Sequence, residues 1–292
     1  MIVLQQLING LQLGSVYALI ALGYSMVYGI ILLLNFAHGD IIMVGGYIAL
    51  LIIAAGISPL VAVIASVAGC TVLACLIEKA AYTPLRSAPR ISLLITAIGV
   101  SYFLQNAAQL IFGPNPVQFP SIVKMGNISL LDGKLLIKSI SIVTILCGVA
   151  IMLVLTWFTG KTRTGRAMRA VSEDKGAAQL MGINVNRTIS ITFAIGSALA
   201  AIAGVLLCSS YPTLMPTTGS MPGIKAFTAA VFGGIGSIPG AMLGGVLLGL
   251  IEIFGKAYIS SELGDAIVFA VLIVVLLFKP TGLLGKQIRE KV

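Results

Sequence analysis

Gly233-Gly234-Ile235-Gly236-Ser237-Ile238-Pro239-Gly240 interrupts an apolar stretch that runs from 224 to 254. One straight helix tolerates it poorly. Glycine costs backbone entropy, and a proline in a helix interior removes a hydrogen bond and crowds the preceding turn. The residues on both sides are nevertheless as apolar as a bilayer core demands. Seven further apolar segments lie outside this one, at 3–34, 41–56, 59–77, 91–112, 139–159, 188–208 and 265–279. Only 9% of the 292 residues are charged, against roughly 25% in a soluble domain, and the mean hydropathy is +1.08. Such a chain cannot cover itself with a water-facing surface. Its segments suit spans of about 20 residues, and backbone groups in lipid are satisfied internally only in helices or closed barrels. The alternation of a barrel strand is absent. The sequence therefore predicts an all-α, polytopic transmembrane helical bundle of about eight hydrophobic segments.

The net charge of +9 suggests nucleic acid until the charges are placed. Most of the 18 Lys and Arg fall in three clusters. These are Lys79, Arg86 and Arg90; Lys161, Arg163, Arg166, Arg169, Lys175 and Arg187; and Lys279, Lys286, Arg289 and Lys291. Each flanks an apolar run and marks the cytoplasmic side. No basic stripe interleaved with aromatics is present to bind nucleic acid. With 78–90 inside, segment 91–112 runs outward, 113–138 is external with Pro114, Pro116 and Pro120, and 139–159 returns to an inside loop at 161–187. Segment 188–208 runs outward again.

Parity then turns on the opening octet. If 224–254 were one inward span, the basic tail would end outside. A half-helix, a turn near Gly236 and Pro239, and a second helix back outward put the tail inside. Broken backbone at membrane depth is tolerated where protein or a water-filled cavity surrounds it, which places the element on a substrate path. Asn35-Phe36-Ala37-His38-Gly39-Asp40, followed by Gly45-Gly46, breaks the first half in the same manner. Two interrupted segments in corresponding places point to an inverted-repeat transporter. Asn35, His38, Asp40, Gly233, Gly234, Gly236, Ser237 and Pro239 are the candidate path residues. Two of them also have a structural alternative: Asp40 could N-cap the following helix, and Asn35 could bond backbone groups freed at the break.

The inside loop contains Ser172-Glu173-Asp174-Lys175-Gly176-Ala177-Ala178-Gln179-Leu180-Met181-Gly182-Ile183-Asn184. Ser172 is a good N-cap, Glu173 and Asp174 sit where the helix dipole favours anions, and Gly182 suits the C′ position. The pattern predicts a helix of about nine residues, too short to stand alone in water. It either seats in a groove of a partner protein or lies on lipid. Around it stand Asn35–Asp40, Lys225-Ala226-Phe227-Thr228-Ala229-Ala230-Val231, Gly233–Ala241 and Pro280-Thr281-Gly282-Leu283-Leu284-Gly285.

Together these stretches, spread over nearly the whole chain, resemble the permease subunits of bacterial ATP-binding-cassette importers for branched-chain amino acids. The resemblance implies a single permease domain over 1–292 in the inner membrane and a coupling helix in the 161–187 loop. It also implies three kinds of partner: a second, paralogous permease, two ATPase subunits and a periplasmic amino-acid-binding protein. Ser172, Glu173, Ala177, Ala178, Leu180, Met181 and Gly182 are the ATPase-coupling candidates it marks. The glutamate that opens the family's Glu-Ala-Ala is Gly176 here, so Gly182 is the better anchor.

Other features have plainer readings. Cys70, Cys75, Cys147 and Cys208 lie in or at the ends of apolar runs and read as small buried hydrophobes. His38 is the only histidine, and one histidine makes no metal site. The first apolar stretch lacks the flanks of a cleaved signal and reads as a retained helix. Glu252 and Lys256 stand four apart in the favoured order for a helical ion pair, read as structural rather than as a proton relay. Gly240/Gly244 and Gly245/Gly249 are small-xxx-small patterns, a weak sign of a dimer face. Gly160-Lys161-Thr162 resembles the end of a phosphate loop, but position 155 is leucine and an apolar helix precedes it, so nucleotide binding is rejected. No paired carboxylates, metal cluster or nucleophile with a base appear. The sequence predicts neither a cofactor nor catalysis by the chain itself. A stand-alone channel or secondary transporter for a small polar solute would share the broken helices; neighbouring or co-purifying ATPase and binding-protein subunits distinguish the two.

Overall fold

The computed structural model describes residues 2–31, 35–86, 88–123, 126, 128–130 and 135–285. The end of the first apolar segment, 32–34, and the tail residues Lys286, Arg289 and Lys291 lie outside the described residues. Eleven α-helices account for most of the rest. In chain order they are α1 Ile2–Ile31, α2 His38–Ala54, α3 Pro59–Ile77, α4 Arg90–Phe112, α5 Ser139–Lys161 and α6 Arg163–Glu173. They continue as α7 Lys175–Leu180, α8 Val185–Ser210, α9 Ser220–Gly233, α10 Ile238–Tyr258 and α11 Gly264–Phe278. Six helices are long and apolar enough to cross a membrane, and α2 and α11 are shorter apolar helices. The eight apolar segments fall on these helices, and 224–254 falls on two, α9 and α10. Four short strands were not foreseen. β1 Val117–Gln118 pairs antiparallel with β4 Thr213–Leu214, and β2 Ile128–Leu130 with β3 Leu135–Ile137.

The chain divides into two compact units. The first comprises Met1–Ser25, Gly126–Thr156 and Lys225–Val292. Its α10 is a small-residue helix used on two faces. Gly240 and Gly244 meet Gly233 and Ala229 of α9, while Gly245 and Gly249 meet Ala18 and Gly14 of α1. Both glycine patterns are therefore consumed within the chain, which corrects the dimer-face reading: close backbone approach inside this unit is what requires them. Ser15 of α1 lies against Gly148 of α5, and Ser141 donates to Gln12.

The second unit comprises Met26–Met125 and Trp157–Ile224. Its core is α2, wrapped by α3, α4 and α8. Gly45 admits Ala201, and Gly204 lies on the Ile42 carbonyl. Ser66 of α3 donates to the Gly45 carbonyl (2.9 Å). Tyr47 stacks on Phe112 with ring centroids 4.0 Å apart, over a core that includes Phe119, Val205 and Leu214. A side chain at 204 has no room. Gly204→Leu is expected to destabilise the protein by about 3 kcal/mol, the upper end for overpacking, read as a lower thermal midpoint in detergent. Gly99→Ala, whose added carbon meets nothing within 4 Å, should leave the midpoint unchanged.

Candidate translocation and coupling sites

The two breaks read from the sequence are both present, and they are built differently. The first lies in the second unit. Asn35, Phe36 and Ala37 form the turn before α2, and the His38 N–H donates to the Asn35 carbonyl (3.1 Å). Asn35, His38 and Asp40 are all buried. Asp40 does not N-cap the helix. Ala37 holds the N-cap position without a side-chain bond, and Asp40 stands two residues inside it. Its carboxylate instead accepts from the Gln105 amide of α4 (2.9 Å), whose nitrogen also reaches Ser101 and Ser220 Oγ (3.2 Å each). Asn35 bonds a freed backbone group at the break through its carbonyl, and its side chain accepts from the Tyr82 hydroxyl (2.7 Å).

Ser220 opens α9, and Gly219 and Gly39 touch backbone to backbone, so that a methyl on either would strike the other's carbonyl oxygen. Two helix N-termini, each the positive end of its helix, are thus adjacent. Asp40, 1% exposed, sits at that point with amide and hydroxyl partners. Among the described residues it has no cationic partner; the ion pairs there are Arg86–Glu78, Lys225–Glu252, Lys225–Asp265 and Lys256–Glu252. Gln105, Ser101, Gly219 and Ser220 were not singled out from sequence. Neither amides nor small residues announce a partner sixty or more positions away.

The second break lies in the first unit and is a closed helical turn. α9 ends at Gly233, and Gly234 and Gly236 take φ of +108° and +84°, a region glycine enters without a Cβ penalty. Ser237 N-caps α10 by accepting from the Gly240 N–H (3.2 Å), with Pro239 in the first turn. The Gly236 N–H donates to Ser25 Oγ (3.0 Å). The carbonyls that end α9, Phe232 and Gly233, accept from Leu283 and Leu284 N–H (2.9 Å each). The Pro280–Gly285 stretch is therefore the cap of this hairpin.

At the far end of the hairpin, Lys225 and Lys256 both bind Glu252, and the Tyr17 hydroxyl donates to its second oxygen (2.8 Å). Lys225 also reaches Asp265 (2.6 Å). The expected Glu252–Lys256 pair is present as one edge of this larger cluster.

The 161–187 loop is two helices, not one. Thr162 caps α6 by accepting from Gly165 N–H (3.0 Å), which gives the Gly160-Lys161-Thr162 sequence a structural purpose. Gly165, Met168 and Val171 form a buried stripe that holds α6 helical through Glu173. Ser172 is consequently inside α6, bonded to the Arg169 carbonyl (2.7 Å), and is not the N-cap. Asp174 is, accepting from Ala177 N–H (3.0 Å). At the other end Gly182 has φ +80°. Its N–H bonds the Gln179 carbonyl and Ile183 N–H bonds Ala178 (3.0 Å each), the Schellman closure that places Gly182 at C′. Ala178 is buried, Ala177 is exposed, and Leu180 and Met181 are 90% and 83% exposed.

Apolar helices around two chain breaks, with a capped polar loop that holds two apolar side chains out, define a polytopic membrane permease. The comparisons specify it further. The chain belongs to the family described as branched-chain amino acid transport system / permease component, whose model matches residues 6–276. It is 49% identical to the high-affinity branched-chain amino acid transport system permease protein LivH of Escherichia coli K12, over 99% of this chain and 97% of that one. The corresponding protein BraD of Pseudomonas aeruginosa is 48% identical over 99% and 98%. One solved structure, PsaBC from Streptococcus pneumoniae in complex with Fab, shares the fold at a TM-score of 0.50 and 13% identity, over 95% of this chain and 91% of that chain. The protein is a multi-pass protein of the bacterial inner membrane.

Proposed function

We propose that this chain is the translocating subunit of an ATP-driven importer for leucine, isoleucine and valine. It pairs with a second, paralogous permease, is moved by two ATPase subunits and receives its cargo from a periplasmic binding protein. The whole chain acts as one permease domain, with no catalysis of its own. The observation that carries the coupling half is the exposed Leu180–Met181 pair on a six-residue helix fixed at both ends by Asp174 and Gly182. So short a helix has no stability of its own to spend on exposed leucine and methionine; a groove in a motor subunit gives them a place. Ser172 and Glu173 flank this surface at the end of α6.

The path runs by the first break, at Asn35, His38 and Asp40, where Gly39 meets Gly219 at the start of α9. Helix N-termini there suit a carboxylate, and Asp40 suits an ammonium. In the first unit, the proposed path residues are Gly233, Gly234, Gly236, Ser237 and Pro239 of the hairpin turn. Selectivity among the three amino acids resides mainly in the binding protein.

The test is reconstitution of the permease pair with its ATPase subunits in liposomes, with labelled leucine and binding protein outside the site of ATP. Uptake should require both ATP and the binding protein. Leucine accumulation driven by an ion gradient without ATP would reject the proposal in favour of a secondary transporter.

A further inference from the structure

The inner end of α3 carries a carboxylate that the transport reading has not used. Glu78 begins a π-helical turn, Glu78–Tyr82, that extends α3. Such turns are uncommon and frequently accompany function. Glu78 is 1% exposed. A buried carboxylate is costly unless it is paired or hydrogen-bonded, and this one is both. It accepts from Arg86, from Thr83 Oγ1 (2.8 Å) and from Ser190 Oγ (2.8 Å). Arg86 also donates to Asn186. Ser190 and Asn186 lie one turn apart at the base of α8. That helix starts directly beyond the loop: Asn184 is its N-cap, accepting from Arg187 N–H (3.0 Å), two residues after the Gly182 that closes α7. The connection between α7 and α8 has no slack.

On its other side the π turn reaches the first break. Tyr82 donates to Asn35, and its ring packs against Phe193 of α8 at 5.6 Å between centroids. Asn35 in turn holds the first N–H of α2 through its carbonyl. Each link lies within the second unit.

We infer that Glu78, Arg86 and Tyr82 are positioning residues that tie the base of α8 to the break ahead of α2, so that displacement of α7 is passed to the start of α2. The inference rests on the coupling role proposed for α7. A contact chain alone does not establish energetic coupling; the ratio of transport to hydrolysis does.

The experiment uses the complete transporter in proteoliposomes, with leucine uptake and binding-protein-stimulated ATP hydrolysis measured in the same vesicles. The variants are Glu78→Gln, Arg86→Gln and Tyr82→Phe, the last removing one oxygen and keeping the ring. Leucine moved per ATP should fall about fivefold to tenfold in each, within the range by which single residues modulate coupling, while hydrolysis stays within about twofold. Glu78→Gln combined with Tyr82→Phe should be no worse than the more damaging single variant, since both cut one chain. An unchanged ratio, additive losses, or parallel loss of both activities would overturn the inference. Leu180→Asp and Gly182→Arg are assayed alongside. If both spare uptake, the coupling role of α7 fails; if either abolishes uptake while the Glu78 ratio is unchanged, α7 stands and the tie alone fails.

Discussion

Leucine uptake is expected to fall to background when Leu180 is replaced by aspartate, while the permease should still insert and be recovered from membranes in normal amount. The side chain is almost fully exposed and supports nothing inside the chain, so its loss has no folding consequence of its own. Seated in a partner's groove, a leucine contributes about 2 kcal/mol of apolar burial, and a carboxylate in the same place adds a desolvation penalty. The sum exceeds about 3 kcal/mol, which weakens ATPase attachment more than about a hundredfold. Co-purification of the ATPase subunits should be lost in parallel. Gly182→Arg acts by another route to the same end. Its φ of +80° costs a side-chain-bearing residue about 1–2 kcal/mol and turns the Leu180–Met181 pair away from its seat. Normal uptake in both variants would remove the coupling assignment.

Glu252→Ala is expected to cost as much stability as Gly204→Leu. It strips Lys225 and Lys256 of a shared carboxylate and leaves the Tyr17 hydroxyl facing a methyl group. Removing one partner of a buried ion pair costs about 3–5 kcal/mol. Lys225 keeps Asp265, so the lower end, about 3 kcal/mol, is the expected value. Replacing both buried members, Lys225→Met with Glu252→Leu, leaves only the part-exposed Lys256 and Asp265 charged and should recover most of the loss. Thermal unfolding in detergent reads both. A double variant no more stable than Glu252→Ala would mean that the cluster acts through geometry rather than charge balance.

The chain breaks were legible because glycine and proline declare themselves locally. The Gly233–Gly240 turn and the C′ placement of Gly182 needed only neighbouring residues to be read. Ser172 against Asp174 shows where local reading ends. Both are good N-caps, and the choice is made by the Gly165–Met168–Val171 stripe, which keeps α6 helical past Ser172. Asp40 shows the same limit. Its position near a helix start suggested a cap, whereas Gln105, sixty-five residues away, determines what it does. The glycines of α10 mark close packing, but sequence spacing does not say whether the neighbour is another subunit or, as here, α1 and α9. Glu78 and Lys225 were visible as charges beside apolar runs; their burial depends on partners in distant helices.

The cap on the hairpin turn carries a consequence for biosynthesis. α9 is translated well before Leu283 and Leu284, the residues that satisfy its terminal carbonyls. Until those two emerge from the ribosome, the newly inserted hairpin holds acceptors without donors. A stop codon ahead of position 283 would therefore leave the preceding helices threaded but unlatched, exposed to membrane proteases rather than ready for assembly.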